Sequence, residues 1–186
     1  MPPPHRSIPV TLLLVIGLLT ISQASAQLYI SEFLAENNDG LRDRDGDPSD
    51  WIEIFNSGSQ AVDLGGYYLT DNPSALTKWS FPSLQLEPRQ FLLVFASGKD
   101  RTEGNELHTN FKLNGDGEYL ALVQPDGSTA ASDFAPEYPD QRENISYGVG
   151  AGGKFHFFDK PTPGRGNGSG FGGFVQDTKF EPNRGF

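Results

Sequence analysis

The chain contains no cysteine, which excludes disulfides, thiol nucleophiles and cysteine-ligated metal sites. Its stability must come from a hydrophobic core, with or without bound ions. Basic residues are few: 14 lysines and arginines face 24 aspartates and glutamates, for a net charge of −10. That balance argues against a nucleic acid or an anionic membrane as ligand, since both need a cationic face. Histidine is scarce as well, with His5 near the start, His108 in a polar loop and His156 in a glycine-rich tract. No histidine pair has metal-ligand spacing, no Gly-x-Ser-x-Gly elbow occurs, and no glycine-rich loop ends in Gly-Lys-Ser/Thr. Helical periodicity is absent too, as no segment repeats apolar residues at helical spacing for long enough to predict a helix.

Long apolar runs are limited to residues 12–21. With His5 and Arg6 before them and Ala24-Ser25-Ala26 after, residues 1–26 read as a secretory signal peptide, and the mature chain would start at Gln27. The run is short for a membrane span and is broken by Thr11, Gly17 and Thr20. No later stretch is apolar enough to insert, so the expected location is secreted, extracellular or at the cell surface, with the periplasm as a further option. Loss of the leader would remove Arg6 and no acidic residue, leaving the chain one unit more acidic.

What is present is a succession of short β-like runs. Alternation predicts strands over 28–34, 51–56, 66–70, 78–81, 90–96, 118–124, 128–134 and 146–149. Turn chemistry separates them: Ser57-Gly58, Asp71-Asn72-Pro73, Glu87-Pro88, Asn114-Gly115-Asp116-Gly117 and Pro125-Asp126-Gly127. With no crossover helices, this spacing predicts an all-β, immunoglobulin-like sandwich of two sheets, and about 120 residues suffice for a single core. In the second run Trp51, Glu53 and Phe55 share the face opposite Ile52 and Ile54. Leu120, Leu122, Trp79 and Phe81 read as core, Leu64 as a core plug, and the 90–96 strand as buried on both faces. Asn56 is placed to close an Asx-turn.

These landmarks resemble the lamin tail domain family, in its secreted bacterial form. The matching stretches are ISEFLAEN (30–37), DWIEIFNSGSQAVDLGGYYLTD (50–71), KWSFP (78–82), QFLLVFASG (90–98) and FKLNGDGEYLALVQPDGS (111–128). The resemblance implies the sandwich fold over 27–149 and a role without catalysis. After Val149 glycine and proline dominate, so residues 150–174 read as a linker, part of a tail over 150–186. The closing VQDTKFEPNRGF resembles the opening of a further β domain, as in a larger multidomain exported protein.

The densest chemistry lies in the acidic loop, where Asp43, Asp45 and Asp47 alternate and Asp50 follows, with Asp39 as a possible extra. Carboxylates at every second position suit a hard cation, and Ca²⁺ better than Zn²⁺. Pro48 and Ile54 stand where an EF-hand needs its glycine and closing glutamate, so this is not an EF-hand. The competing reading is a solvated loop neutralised in part by Arg42 and Arg44. Exposed aromatics such as Phe55, Tyr67 and Tyr68 could offer a platform to sugar or peptide, although such residues more often pair within a sheet.

Together these features predict a secreted interaction module whose partner is an extracellular protein or polysaccharide, acting in adhesion, surface attachment or as an accessory domain. Two alternatives stand beside it: a Ca²⁺-dependent carbohydrate-binding module, and an exported hydrolase with an unrecognised carboxylate site.

Overall fold

The computed structural model describes residues 28–175. The leader reading of residues 1–26 and the reading of the closing segment beyond residue 175 lie outside the described residues. Among the described residues twelve strands occur in chain order: β1 (Leu28–Leu34), β2 (Trp51–Asn56), β3 (Val62–Asp63), β4 (Tyr68–Thr70), β5 (Trp79–Ser80), β6 (Gln85–Leu86), β7 (Phe91–Phe95), β8 (Leu107–His108), β9 (Leu120–Val123), β10 (Ala130–Phe134), β11 (Ser146–Val149) and β12 (Phe155–Phe158). The only helical element among the described residues is one 3-10 turn at Ala151–Gly153.

The strands form a six-stranded sheet in the order β12-β11-β1-β2-β7-β8, a four-stranded sheet in the order β10-β9-β4-β5, and a small β3-β6 pair. All pairings are antiparallel except β7 with β8. The fold is thus the immunoglobulin-like all-β sandwich expected from the strand pattern. Its two main sheets share one core. Ile30, Phe33, Ile52, Ile54 and Val94 enter it from the larger sheet, and Leu69, Trp79, Leu120, Leu122 and Phe134 from the smaller. Phe33 sits among aromatics, with ring centroids 5.1 Å from Phe134 and 4.6 Å from Tyr138. Leu64 is fully buried, as a plug should be. The Tyr138 hydroxyl donates to Asn114 O at 2.8 Å and so fixes the 114–117 turn. There Gly117 has φ of 94° and a side chain would meet Tyr138 O at 2.5 Å, so only glycine fits. Asn56 accepts the Gly58 N–H at 3.0 Å, closing the expected Asx-turn.

Two expectations need correction. The tract 150–174 is not a free linker in its first half: β12 pairs with β11 over four residues, and a bridge between Phe157 and Phe171 extends that edge. Glycine and proline set the composition, but Phe157 and Phe158 are 4% and 2% exposed and anchor the segment. The domain therefore continues past Val149. The β7 strand is also less enclosed than its sequence suggests, since Phe91, Leu92 and Leu93 are half-buried while Val94 and Phe95 are buried.

Ending the chain at Val149 removes β12 and uncovers its neighbours. With about 1.5–3 kcal/mol for each buried phenylalanine, that chain should lose several kcal/mol relative to one ending at Val175. Circular dichroism melts should show a drop of roughly 10 °C or more. Equal melting would make residues 150–175 a linker after all.

Candidate functional site

The outer face of the six-stranded sheet carries the polar and aromatic side chains that the core excludes. Trp51, Glu53 and Phe55 of β2 lie opposite Phe95, Leu93 and Phe91 of β7. On β1 the register shifts between Ile30 and Glu32. A strict alternation would send Glu32 inward with Ile30; the bulge at Ser31 turns Glu32 and Leu34 outward while Ile30 and Phe33 both stay in the core. Glu32 consequently lies directly across from Glu53, and both are fully buried.

Two neighbouring buried carboxylates need donors. The Ser31 hydroxyl donates to Glu53 Oε1 at 2.6 Å, and Ser146 Oγ bonds Glu32 Oε1. The remaining donors come from the segment after β12. The Thr162 N–H reaches the Glu32 oxygens at 3.1 and 3.2 Å, the Thr162 hydroxyl donates at 2.9 Å, and the Gly164 N–H reaches Glu53 Oε2 at 2.5 Å. Asn167 completes the attachment by donating to Ser31 O at 2.9 Å and Val149 O at 3.0 Å. Residues 161–167 thus form a strap across the sheet. Burial drives the Glu53 carboxyl up to about 7, with bonds from Ser31 and Gly164 opposing and the Glu32 charge adding to the rise. Burial also raises Glu32, against its bonds to Ser146 and Thr162.

The strap alternates in function. Thr162 and Gly164 point their N–H groups down at the glutamates, whereas Pro161 and Pro163, which have no N–H, line an adjoining cleft of about 390 Å³. Leu34, Trp51, Leu41 and Asp39 also line it, the first two almost wholly buried and so at its base, the last two exposed and so at its rim. Asn144 holds that rim by accepting the N–H groups of Asn38 at 3.0 Å and Asp39 at 2.9 Å. No ion pair among the described residues engages Asp39.

Of the proposed calcium ligands, Asp43, Asp45 and Asp47 do converge, with one oxygen from each within 4.8 Å of the others. They converge on Lys99, whose Nζ lies 2.5, 2.7 and 2.8 Å from the three carboxylates in turn. Burial opposes the lysine charge, yet bonds to the three aspartates raise its pKa overall. Bonds from Arg101 and then Lys99 hold Asp45 down at about 2. Asp43 is the organiser: its Oδ1 accepts the N–H groups of Asp45 and Asp47, each at 3.0 Å, and its Oδ2 accepts the Ser49 hydroxyl at 3.0 Å. Asp50 does not join the set. It accepts the Asn37 N–H at 3.2 Å at the neck of the loop, and burial lifts it to about 6. Asp39 lies at the cleft instead.

The sequence placed His108 in a polar loop, but the ring is fully buried and stacked on Phe95 at 5.4 Å. Ser97 Oγ lies 2.9 Å from His108 Nδ1, and His108 Nε2 lies 2.9 Å from Glu106. The order of groups is that of a nucleophile relay. However, Ser97 Oγ also accepts the Lys99 N–H at 3.2 Å, and Glu106 accepts the Arg44 N–H at 3.2 Å. The chain of bonds thereby serves a buried imidazole and ties the acidic loop to β8. Among the aromatics expected as a platform, Tyr67 packs against the core. Phe55 stacks on Phe91 at 4.3 Å with Arg89 over its ring.

A family model described as Lamin Tail Domain matches residues 21–134, more than half of the chain. No curated protein matches it. The matched segment holds β1 and β2 with both glutamates and the acidic loop, whereas β11, β12 and the strap follow it.

The raised carboxyls make stability depend on pH. Glu53 titrates at about 7 in the fold against 4.5 as a free side chain. Between those values the native state holds the proton more tightly than the unfolded chain, so stability should fall as pH rises through that window and level off above it. Denaturant titrations at about pH 5 and about pH 8.5 should differ by on the order of 2 kcal/mol in the wild type. Glu53→Gln should remove the share that Glu53 carries, leaving the smaller falls that come from Asp50, lifted to about 6, and from Glu32. An unchanged pH dependence in the variant would show that the pair does not carry the effect.

Proposed function

Because the chain belongs to the lamin tail domain family, whose domain is an immunoglobulin-like β fold without catalysis, we propose that it is a binding module of an exported multidomain protein, engaging an extracellular partner in the cleft over Trp51. The observation that carries this reading is the construction of the cleft. Three separate segments meet around a buried indole: β1 with β2, the acidic-loop neck and the strap. Such a recess, mostly apolar with a few placed polar groups, is the usual form of a ligand site. The buried glutamate pair, the best carboxylate site for a hydrolase, is saturated by strap donors and lies beneath them rather than in the cleft. Adhesion, surface attachment and service to an exported enzyme all fit a module of this kind. The acidic surface and the leader-like residues 1–26 support export.

One observation favours the calcium-dependent carbohydrate reading, namely the convergence of Asp43, Asp45 and Asp47. These three would hold the ion, and it would have to take the place of the Lys99 ammonium. Ca²⁺ also needs six or more oxygens, and Asp43 already spends both of its oxygens on internal donors.

Two measurements separate the readings. In a binding panel of peptides and polysaccharides against the immobilised full chain, at least one ligand should bind, lose binding in Leu41→Arg and ignore EDTA. A panel with no ligand sensitive to that substitution would remove the cleft as the site. Thermal unfolding with EDTA and with millimolar calcium should coincide in the wild type. Lys99→Met should destabilise by about 1–3 kcal/mol, since it leaves hydrogen-bonded charges without their partner. Calcium stabilisation of the wild type would instead establish the acidic loop as a metal site.

A further inference from the structure

The chemistry of the cleft narrows the class of partner. Its floor and walls are apolar: Leu34, Trp51, Leu41, Pro161 and Pro163. Its rim carries one exposed carboxylate, Asp39, which has no cationic partner among the described residues. Within the loop Asp43, Asp45 and Asp47 share Lys99, and Asp45 also pairs with Arg101 at 2.7 Å. The chain as a whole carries a net charge of −10. An apolar recess ending at a free carboxylate matches a side chain with an apolar stem and a cationic head. Lysine buries its methylene stem against apolar surface while keeping the ammonium at the polar edge. We propose that the cleft captures a lysine side chain of a basic extracellular polypeptide, with the stem over Trp51 between Leu41 and the two prolines and the ammonium on Asp39.

The surplus of acid speeds the approach of a basic partner and disfavours an acidic one. Neutral sugars could hydrogen-bond Asp39 through their hydroxyls but would leave its charge unneutralised, and the Phe55–Phe91 row presents rings already occupied by one another and by Arg89. The strap supplies one wall through backbone bonds to Glu32 and Glu53, so the pocket exists only when the strap is seated.

This inference rests on the cleft being the binding site, and its test keeps the two apart. Three short peptides identical except at one position, carrying lysine, norleucine or glutamate there, are titrated against the full-length chain by calorimetry, with the Trp51 indole N–H followed by NMR. The lysine peptide should bind, shift the indole resonance and weaken as salt rises. Asp39→Asn should lower its affinity about tenfold, equivalent to about 1.4 kcal/mol, while leaving the melting temperature unchanged because Asp39 is exposed. Leu41→Arg, which places a cation of the chain's own in the recess, should abolish binding. Absence of lysine-peptide binding, or equal affinity in Asp39→Asn, overturns the proposal. Binding of the norleucine peptide with equal strength, still lost in Leu41→Arg, overturns the cation and keeps the cleft.

Discussion

Two glutamates side by side in the middle of a sheet, with no cation between them, set the terms for the outer face of this protein. Like charges in a buried, low-dielectric setting repel strongly, and each carboxylate also loses its water. The fold answers with donors and with protons. Ser31, Ser146, Thr162 and Gly164 bond the oxygens, and burial moves the carboxyls toward the neutral form. The donors that matter most to the architecture are the two strap amides, because they turn an electrostatic liability of the sheet into the attachment point of a segment with almost no core-forming residues of its own. The cleft wall is a consequence of that attachment.

The acidic loop solves the same problem by the opposite route. Asp43 and Asp45 are held below the usual carboxylate range, and an ammonium from the segment after β7 sits among them and Asp47. Near the surface, where water screens the repulsion, an internal ion pair costs little in desolvation, whereas deep in the sheet a proton is cheaper than a buried cation. The cation explains why carboxylates of the same chain titrate in opposite directions: Asp43, whose side chain is itself enclosed, is held down by Lys99, and Asp45 lies near 2 beside Arg101 and Lys99, whereas Glu53, bonded only to neutral donors, lies near 7 under the strap. The loop then forms a rigid neck through Asn37, which donates to Leu41 O at 2.6 Å and Ser49 O at 2.8 Å. That neck holds Leu41 at the cleft.

Much of the sandwich was legible because it rests on local periodicity. β1, β2 and β11 occupy the residues their alternation predicts, and the motif that ends in Asn56 closes its turn as its chemistry requires. Of the four two-residue strands, β3, β6 and β8 lie in no alternating run that period two could reveal, whereas β5 falls inside the predicted 78–81 run. The bulge at Ser31 was hidden for a related reason: a register shift is decided by the partner strand, and ISEFL alone does not say which of Ser31 and Glu32 loses its place. The convergence of three aspartates could be read from their spacing, but not their cation, because Lys99 is more than fifty positions away. His108 shows the limit from the other side. A histidine flanked by polar residues reads as exposed, and only the parallel pairing of β8 with Phe95 buries it. FHFF was legible in principle, since three aromatics in four positions signal burial more strongly than the glycines around them signal freedom.

The manner in which the strap is held separates anchoring from recognition. Its bonds to the glutamates run chiefly through main-chain N–H groups at positions 162 and 164, so the side chains at 161 and 163 carry no share of the attachment and are free to shape the cleft. Any residue with a suitable backbone could stand at 161 or 163 and still leave the strap seated, though proline there stiffens the wall at low entropic cost. The reverse does not hold. Proline at 162 or 164 would lack the donor a buried carboxylate needs, and the glutamate left without it would bear a desolvation cost of about 1–3 kcal/mol or more. The alternation Pro-Thr-Pro-Gly is therefore the sequence form of a division of labour: one set of positions satisfies the charge beneath, and the other presents a surface to whatever enters above.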